Sequence, residues 1–180
     1  MKLSQYIPQS YSLTIYDIDY QKYLQQGIKA LFFDLDNTII DYDQTSFTPE
    51  IVEFIKNLQQ TFKVVVVSNS RYPRVSKACA GIVDYVPSAL KPLKKGYKKA
   101  LKIAGVNASE VLVIGDQIMT DIKGSANMAM SNVLVQPIAT KTEKIWTLYN
   151  RRREKKIIEQ IKLNYPESYQ KVMLPYESRK

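Results

Sequence analysis

Apolar residues arrive along this chain in short blocks separated by stretches of helical spacing. Ala30-Leu31-Phe32-Phe33, Lys63 to Val67, Val111 to Ile114 and Asn132 to Val135 are each strand-sized. Continuous apolar runs of that length suit strands buried on both faces. Between the first two, Ile51, Phe54, Ile55, Leu58 and Phe62 recur at helical intervals behind Thr48-Pro49-Glu50. That tripeptide offers a hydroxyl N-cap, a proline at the first helical position and an acid in the first turn. A short helix is expected from Pro73 to Ala80, a brief strand around Tyr85-Val86, and a further helix across Asp121 to Met130. After Pro92, the residues Leu93, Tyr97, Ala100, Leu101 and Ala104 share one face, lysines take the other, and Gly105 is placed to end the helix. Alternating buried strands and helices predict an α/β fold of three layers, a central parallel sheet covered on both sides. The 180 residues suit a single domain, with a core at 28–138, an N-terminal arm at 1–27 and a basic helical tail at 139–180 as additions.

The polar residues that follow the strand candidates change this from a fold pattern to a chemical one. Asp34-Leu35-Asp36-Asn37-Thr38 follows the first strand, Ser68-Asn69-Ser70 the second, and Gly115-Asp116 the third. In open parallel sheets, ligands bind at the carboxyl ends of strands. Side chains two apart on a strand point the same way, so Asp34 and Asp36 would share one space. Two acids held together repel one another and resist burial, which calls for a cation between them, most naturally a hard divalent ion with oxygen ligands. One carboxylate could then attack phosphorus while the other moves a proton. Blander readings stand beside this one: Asp116 as a helix cap, Ser68 and Asn69 as turn formers, Lys91 as one more solvated lysine.

Composition narrows the chemistry. There is no histidine, which removes Ser-His-Asp and Cys-His nucleophile systems and histidine metal sites. The single cysteine, Cys79, excludes an internal disulfide framework. No signal-peptide pattern and no span-length apolar run are present, so a cytoplasmic location is expected. The net charge is +9, with one cluster of lysines at 91–102 and another cluster at Lys141, Lys144, Arg151, Arg152, Arg153, Lys155 and Lys156. Such a field attracts phosphates, nucleic acid or an anionic membrane without choosing among them.

Asp34-x-Asp36-x-Thr38, Ser68, Lys91 and Gly115-Asp116 with Asp121, in that order, resemble the haloacid dehalogenase superfamily of phosphohydrolases. The details Ser68-Asn69-Ser70, Lys91-Pro92, Gly115-Asp116-Gln117-x-x-Thr120-Asp121 and Asn150-Arg151-Arg152 are similar to its subclass IIIA phosphatases of the YqeG family, relatives of phosphatidylglycerophosphate phosphatases. The resemblance implies a Rossmann-like fold and an aspartyl-phosphate mechanism. Asp34 would be the nucleophile and Asp36 the general acid and base. Ser68 and Lys91 would bind the phosphoryl group, with Asn69 shaping the loop or touching substrate. Magnesium would be held by Asp34, the main-chain carbonyl of Asp36 and Asp116, with Asp121 ordering its water shell or binding through it.

Residues 39–63 and 71–90 leave no room for a large inserted cap domain, so the site is expected to be open. An open site needs another means of excluding water and selecting substrate. A phosphorylated substrate presented by an anionic membrane at the inner face is one expectation, with a lipid phosphate such as phosphatidylglycerophosphate as its form. RNA or ribosome association through the basic tail is the alternative, although no RNA-binding module is recognisable. The sequence leaves the oligomeric state open.

Overall fold

The computed structural model describes residues 2–139 and 145–178, with the backbone alone at 145 and 146. Lys141, Lys144 and the side chain of Trp146 therefore lie outside the described residues. In chain order the elements are β1 (Ser10–Ser12), α1 (Tyr20–Gln25), β2 (Ala30–Phe33), α2 (Pro49–Gln59), β3 (Lys63–Val67), α3 (Tyr72–Cys79) and β4 (Asp84–Val86). They continue with α4 (Lys94–Ala104), β5 (Val111–Gly115), α5 (Lys123–Asn127), β6 (Ser131–Val135), α6 (Ile145–Asn164), α7 (Pro166–Ser168) and α8 (Leu174–Glu177). A wide π-type turn at Ile118–Ile122 replaces the first part of the helix expected from Asp121 onward. Thr48 caps α2 as expected, its hydroxyl accepting from Ile51 N–H at 3.4 Å, and Gly105 ends α4 in the left-handed conformation, φ 67°.

The six strands of the described residues are all parallel, in the order β1-β6-β5-β2-β3-β4. From β2 the chain builds outward through β3 and β4, then returns to place β5 against the other side of β2. The strand order therefore reverses between β2 and β5, and a crevice opens there at the carboxyl ends. Register brings those ends level: Phe33 pairs with Val66 on one side and with Ile114 on the other. The ladder runs one residue further, Asp34 N–H donating to Ile114 C=O at 2.8 Å.

Alternation along β2 sorts the core into two layers. Leu31 and Phe33 pack with Ile51 and Ile55 of α2 and Val75 of α3, while Ala30 and Phe32 face Tyr97, Ala100 and Ala104 of α4 on the other side. The arm and tail are joined to this frame. β1 of the arm extends the sheet beside β6, where Gln9 N–H donates to Asn132 Oδ1 at 2.9 Å. Ile157, Ile158 and Ile161 of α6, with Tyr176 of α8, form a third cluster over Ile118, Ile122 and Leu134.

One close approach sets the position of the turn between β4 and α4. A Cβ at Gly96 would lie 2.8 Å from Ala89 Cα, closer than packed atoms tolerate. Gly96→Ala should therefore lower stability by about 1–3 kcal/mol through overpacking, read as an earlier urea midpoint with unchanged slope. A neutral substitution would mean that the turn is free to shift.

Candidate active site

The loop after β2 puts its carboxylates into the crevice by alternation. Leu35, fully buried, anchors the loop in the core, and its carbonyl accepts from the N–H groups of Thr38, Ile39 and Ile40. Asn37 makes the reversal at φ 62°, a left-handed position that asparagine tolerates better than most residues. Asp34 and Asp36, on either side of Leu35, line a cleft of about 580 Å³ together with Ser68, Asn69 and Lys91. Asp116 and Asp121 are fully buried, and carboxylate oxygens of Asp34, Asp116 and Asp121 lie within 4.8 Å of one another. The structure thus brings together every site residue expected from the sequence.

Lys91 Nζ sits between two of these acids, donating to Asp34 Oδ1 and Asp121 Oδ1 at 2.7 Å each. Burial alone would discharge the lysine, but Asp121 and Asp34 outweigh it and hold the ammonium charged, its pKa above the ordinary lysine value. Asn69 supports this lysine from behind. Its Oδ1 accepts from Lys91 N–H at 2.7 Å and its Nδ2 donates to Lys91 C=O at 3.1 Å. The second oxygen of Asp121 accepts from Gln117 N–H and Thr120 Oγ1, both at 3.2 Å. That approach requires Gly115, where a Cβ would fall 2.6 Å from Asp121 Cβ.

Asp36 is held by a different set. Arg74 Nε donates to Oδ1 at 2.6 Å, Ser70 Oγ to Oδ2 at 2.6 Å, and Ser68 Oγ to Oδ2 at 3.4 Å. Arg74 also donates to the carbonyls of Gln44 and Asp41, tying α3 to the loop after Asp36. Asp116 accepts from Thr38 Oγ1 at 3.3 Å and forms an ion pair with Arg151 Nη2. Arg151 Nη1 donates to the Asp116 carbonyl at 2.7 Å, to Glu154 at 3.2 Å and to the Tyr176 hydroxyl at 3.2 Å. The fully buried Glu154 in turn accepts from Ile118 N–H at 2.8 Å. Thr147 and Asn150 of α6 also line the cleft, and Thr147 meets the Tyr42 hydroxyl at 3.0 Å.

Sequence reasoning placed the tail outside the core and left out Arg74, Ser70, Thr147, Arg151 and Glu154. The cleft has no inserted cap, since α2 alone separates the Asp34–Thr38 loop from β3, yet the tail helix builds part of its wall.

Charge at the site favours a divalent cation. Among the described residues, Asp34, Asp36, Asp116, Asp121 and Glu154 meet Lys91, Arg74 and Arg151, a formal excess of two negative charges when all are ionised. Burial pushes Asp34 well above the ordinary carboxylate range. Lys91 opposes this, and the charges of Asp121, Asp116 and Asp36 add to it. Burial likewise raises Asp116 to about 7 against the pull of Arg151, with Asp121 and Glu154 adding to the rise. A hard ion such as magnesium, which takes a few carboxylates plus waters and phosphate oxygens, fits this donor set.

Comparison with known proteins gives the site a family setting. The sequence model of the haloacid dehalogenase-like hydrolases matches residues 39–128, a span that starts just after the Asp34–Thr38 loop and includes Ser68, Lys91, Asp116 and Asp121. Probable phosphatase YqeG of Bacillus subtilis (strain 168) is 28% identical over 159 residues, covering 87% of this chain and 92% of that protein. The glyceraldehyde 3-phosphate phosphatase of Pyrococcus abyssi (strain GE5 / Orsay) is 46% identical over 52 residues, 29% of this chain and 22% of that protein. Among solved structures, an uncharacterized protein from Listeria monocytogenes serotype 4b superposes with a TM-score of 0.50 over 61% of this chain and 79% of that chain, at 14% identity. That last likeness concerns the fold alone.

Two outcomes follow from the geometry. Between the ordinary carboxylate value of 3.8 and about 7, folded Asp116 keeps a proton that the unfolded chain releases. The folded state then binds more protons, so metal-free stability falls as pH rises through that window. A divalent ion held by the same carboxylates would replace the proton, so magnesium should raise Tm more at pH 8 than at pH 5; equal shifts in a thermal melt would contradict this. Were Asp116 a magnesium ligand, Arg151→Ala should weaken magnesium affinity by about 10–100-fold, the range for losing a group that orients a metal ligand. Arg151→Lys should restore only part of it, because an ammonium cannot make the paired contacts of a guanidinium. Isothermal titration with magnesium measures both.

Proposed function

Because the chain belongs to the haloacid dehalogenase-like hydrolases, we propose that it is a magnesium-dependent phosphomonoester hydrolase in which Asp34 is the nucleophile. The observation that carries this reading is Asp34 itself: it stands at the end of β2 in the cleft, with Lys91 Nζ at 2.7 Å and two further carboxylates behind it. Magnesium, held by Asp34, Asp116 and the Asp36 main chain with Asp121 beside it, would neutralise phosphate charge and align the phosphoryl group.

The residues of the chain supply the remaining steps. Burial raises Asp34 in the cleft as it stands, and a cation bound beside it would return it to the ionised form, in which a carboxylate needs no base to act as a nucleophile. Its difficulty is repulsion from the phosphate dianion, which Lys91 relieves while Ser68 hydrogen-bonds a phosphoryl oxygen. The Asp34 oxygen forms a bond to phosphorus as the bond to the leaving oxygen breaks, and Asp36 delivers a proton to that oxygen. Asp36 then takes a proton from water, which attacks phosphorus and releases inorganic phosphate, regenerating Asp34. Asn69 keeps Lys91 in place through its two main-chain hydrogen bonds.

The substrate reading is a lipid phosphate, phosphatidylglycerophosphate being one form. Its support is an uncapped cleft with large apolar side chains exposed close to Lys91, Leu90 at 55% and Leu93 at 61%. Among the described residues no helix is long and apolar enough to cross a membrane, so contact with lipid would be peripheral.

Asp34→Asn should lower phosphate release on the order of 10⁴-fold or more, as removal of a nucleophile does, with the thermal melt retained. Asp36→Asn should slow breakdown of the phosphorylated enzyme, so that label from a phosphomonoester accumulates on Asp34. Full turnover by Asp34→Asn across phosphorylated substrates, phosphatidylglycerophosphate included, defeats the proposal.

A further inference from the structure

Lys91 reaches into the site from a turn whose neighbouring side chains face the other way. Leu93 N–H donates to Leu90 C=O at 2.9 Å, which closes the turn, and the leucines before and after the buried lysine are more than half exposed. Leu90 also has φ 57°. A branched aliphatic side chain in the left-handed region is unfavourable, and asparagine or glycine would serve the backbone better. Neither folding nor solubility accounts for a leucine there.

A second exposed side chain, largely apolar, lies where the adjoining loop enters α3. Tyr72 is 60% exposed and follows Arg71, which lines the cleft. The two loops are laced side by side, Ser88 N–H donating to Ser70 C=O and Ala89 N–H to Ser68 C=O, each at 2.9 Å. The helices leaving these loops, α3 and α4, carry no acidic residue. On α4 the lysines at 94, 95, 98 and 99 are all exposed. Apolar tips therefore stand beside the cleft next to two helices whose charged side chains are all cationic.

We infer that the Leu90–Leu93 turn, with Tyr72 and the lysines opening α4, is a contact surface that seats the cleft on an anionic lipid bilayer. Cations meet headgroup phosphates while leucines enter the boundary with the acyl chains, the division of labour of interfacial protein surfaces. RNA would satisfy the lysines but leave both leucines in water, since single strands are held by stacking on aromatic platforms. A second copy of this chain would set like charges against each other. The inference rests on the phosphatase reading only in placing the reaction next to the surface.

Co-sedimentation with vesicles tests it without any substrate. The chain should bind phosphatidylglycerol vesicles, release them as salt rises, and ignore pure phosphatidylcholine. Leu90→Asn with Leu93→Ser should weaken binding by about tenfold or more, from the loss of two buried leucines. The same variant should hydrolyse soluble p-nitrophenyl phosphate as the parent does. Lys94→Gln with Lys95→Gln should weaken binding and flatten its salt dependence, and this pair decides the matter if the leucine variant fails to fold. No binding to anionic vesicles, binding that both variants leave unchanged, or binding to RNA in place of vesicles would overturn the inference. A chain that binds vesicles yet hydrolyses no phosphomonoester would instead reject the function proposed above and leave this surface standing.

Discussion

The excess of buried negative charge where the strand order reverses constrains most of what surrounds it. Isolated carboxylates do not remain ionised in a protein interior, and here, among the described residues, five converge on one region. Each cation that offsets them comes from a separate element. Lys91 stands on the turn before α4, Arg74 on α3 and Arg151 on α6. Packing of those three elements is thereby tied to the chemistry, because moving any one of them strands an acid in the core. The helices flank the sheet for apolar reasons, but their exact placement answers to charge.

The tail shows this coupling most fully. α6 contributes three isoleucines to its cluster, an apolar contact that many helices could make. Arg151 and Glu154, one turn apart, add what a generic helix could not: a guanidinium on both the carbonyl and the carboxylate of Asp116, and a carboxylate on the N–H of Ile118. Both ends of the Asp116–Ile118 segment are consequently held by one turn of α6. Truncating one member of such a buried pair costs more than the pair contributes, since the other member is left without its counter-charge. The C-terminal segment thus belongs to the site in an energetic sense as well as a spatial one.

Which parts were legible in the sequence follows from the range of the interactions involved. Asp34 and Asp36 declare themselves because a period of two, a buried strand and one intervening leucine are all local. Asp116 does so because it follows Gly115 at a strand end. Lys91 needed the order of the other motifs, since by composition it is one lysine among many. Arg151 stood in the sequence only as part of the Asn150-Arg151-Arg152 likeness, with no role attached: within Arg151-Arg152-Arg153-Glu154-Lys155-Lys156 it looks like a solvated basic face, and only the fold shows that Arg151 turns inward onto Asp116. Arg74 is similar, a helical arginine whose partner lies 38 residues away. Ser10–Ser12 was missed as a strand because an edge strand of this kind is held by main-chain pairing and by Gln9 on Asn132, with no apolar run to reveal it.

Asp36 carries the most exacting demand on the structure. In the proposed reaction it must first present a proton to the leaving oxygen and later accept one from water, both inside the cleft. Here Oδ1 accepts from Arg74 and Oδ2 from Ser70, two short contacts of 2.6 Å each. A carboxyl group engaged on both oxygens can offer a proton to substrate only by giving up one of those donors. Ser70 is the easier to release, since a hydroxyl rotates about a single bond, whereas Arg74 is fixed by two carbonyls on the facing loop as well. Arrival of a phosphoryl group at Ser68 would supply the occasion, because Ser68 Oγ accepts from Ser70 N–H at 3.0 Å and also reaches toward Asp36. Recruiting that hydroxyl to phosphate would loosen the serine side of Asp36 while the arginine side holds. In the proposed reaction, proton transfer would then be linked to phosphate binding through the Ser68–Ser70 turn, the acid becoming available when there is a leaving group to protonate.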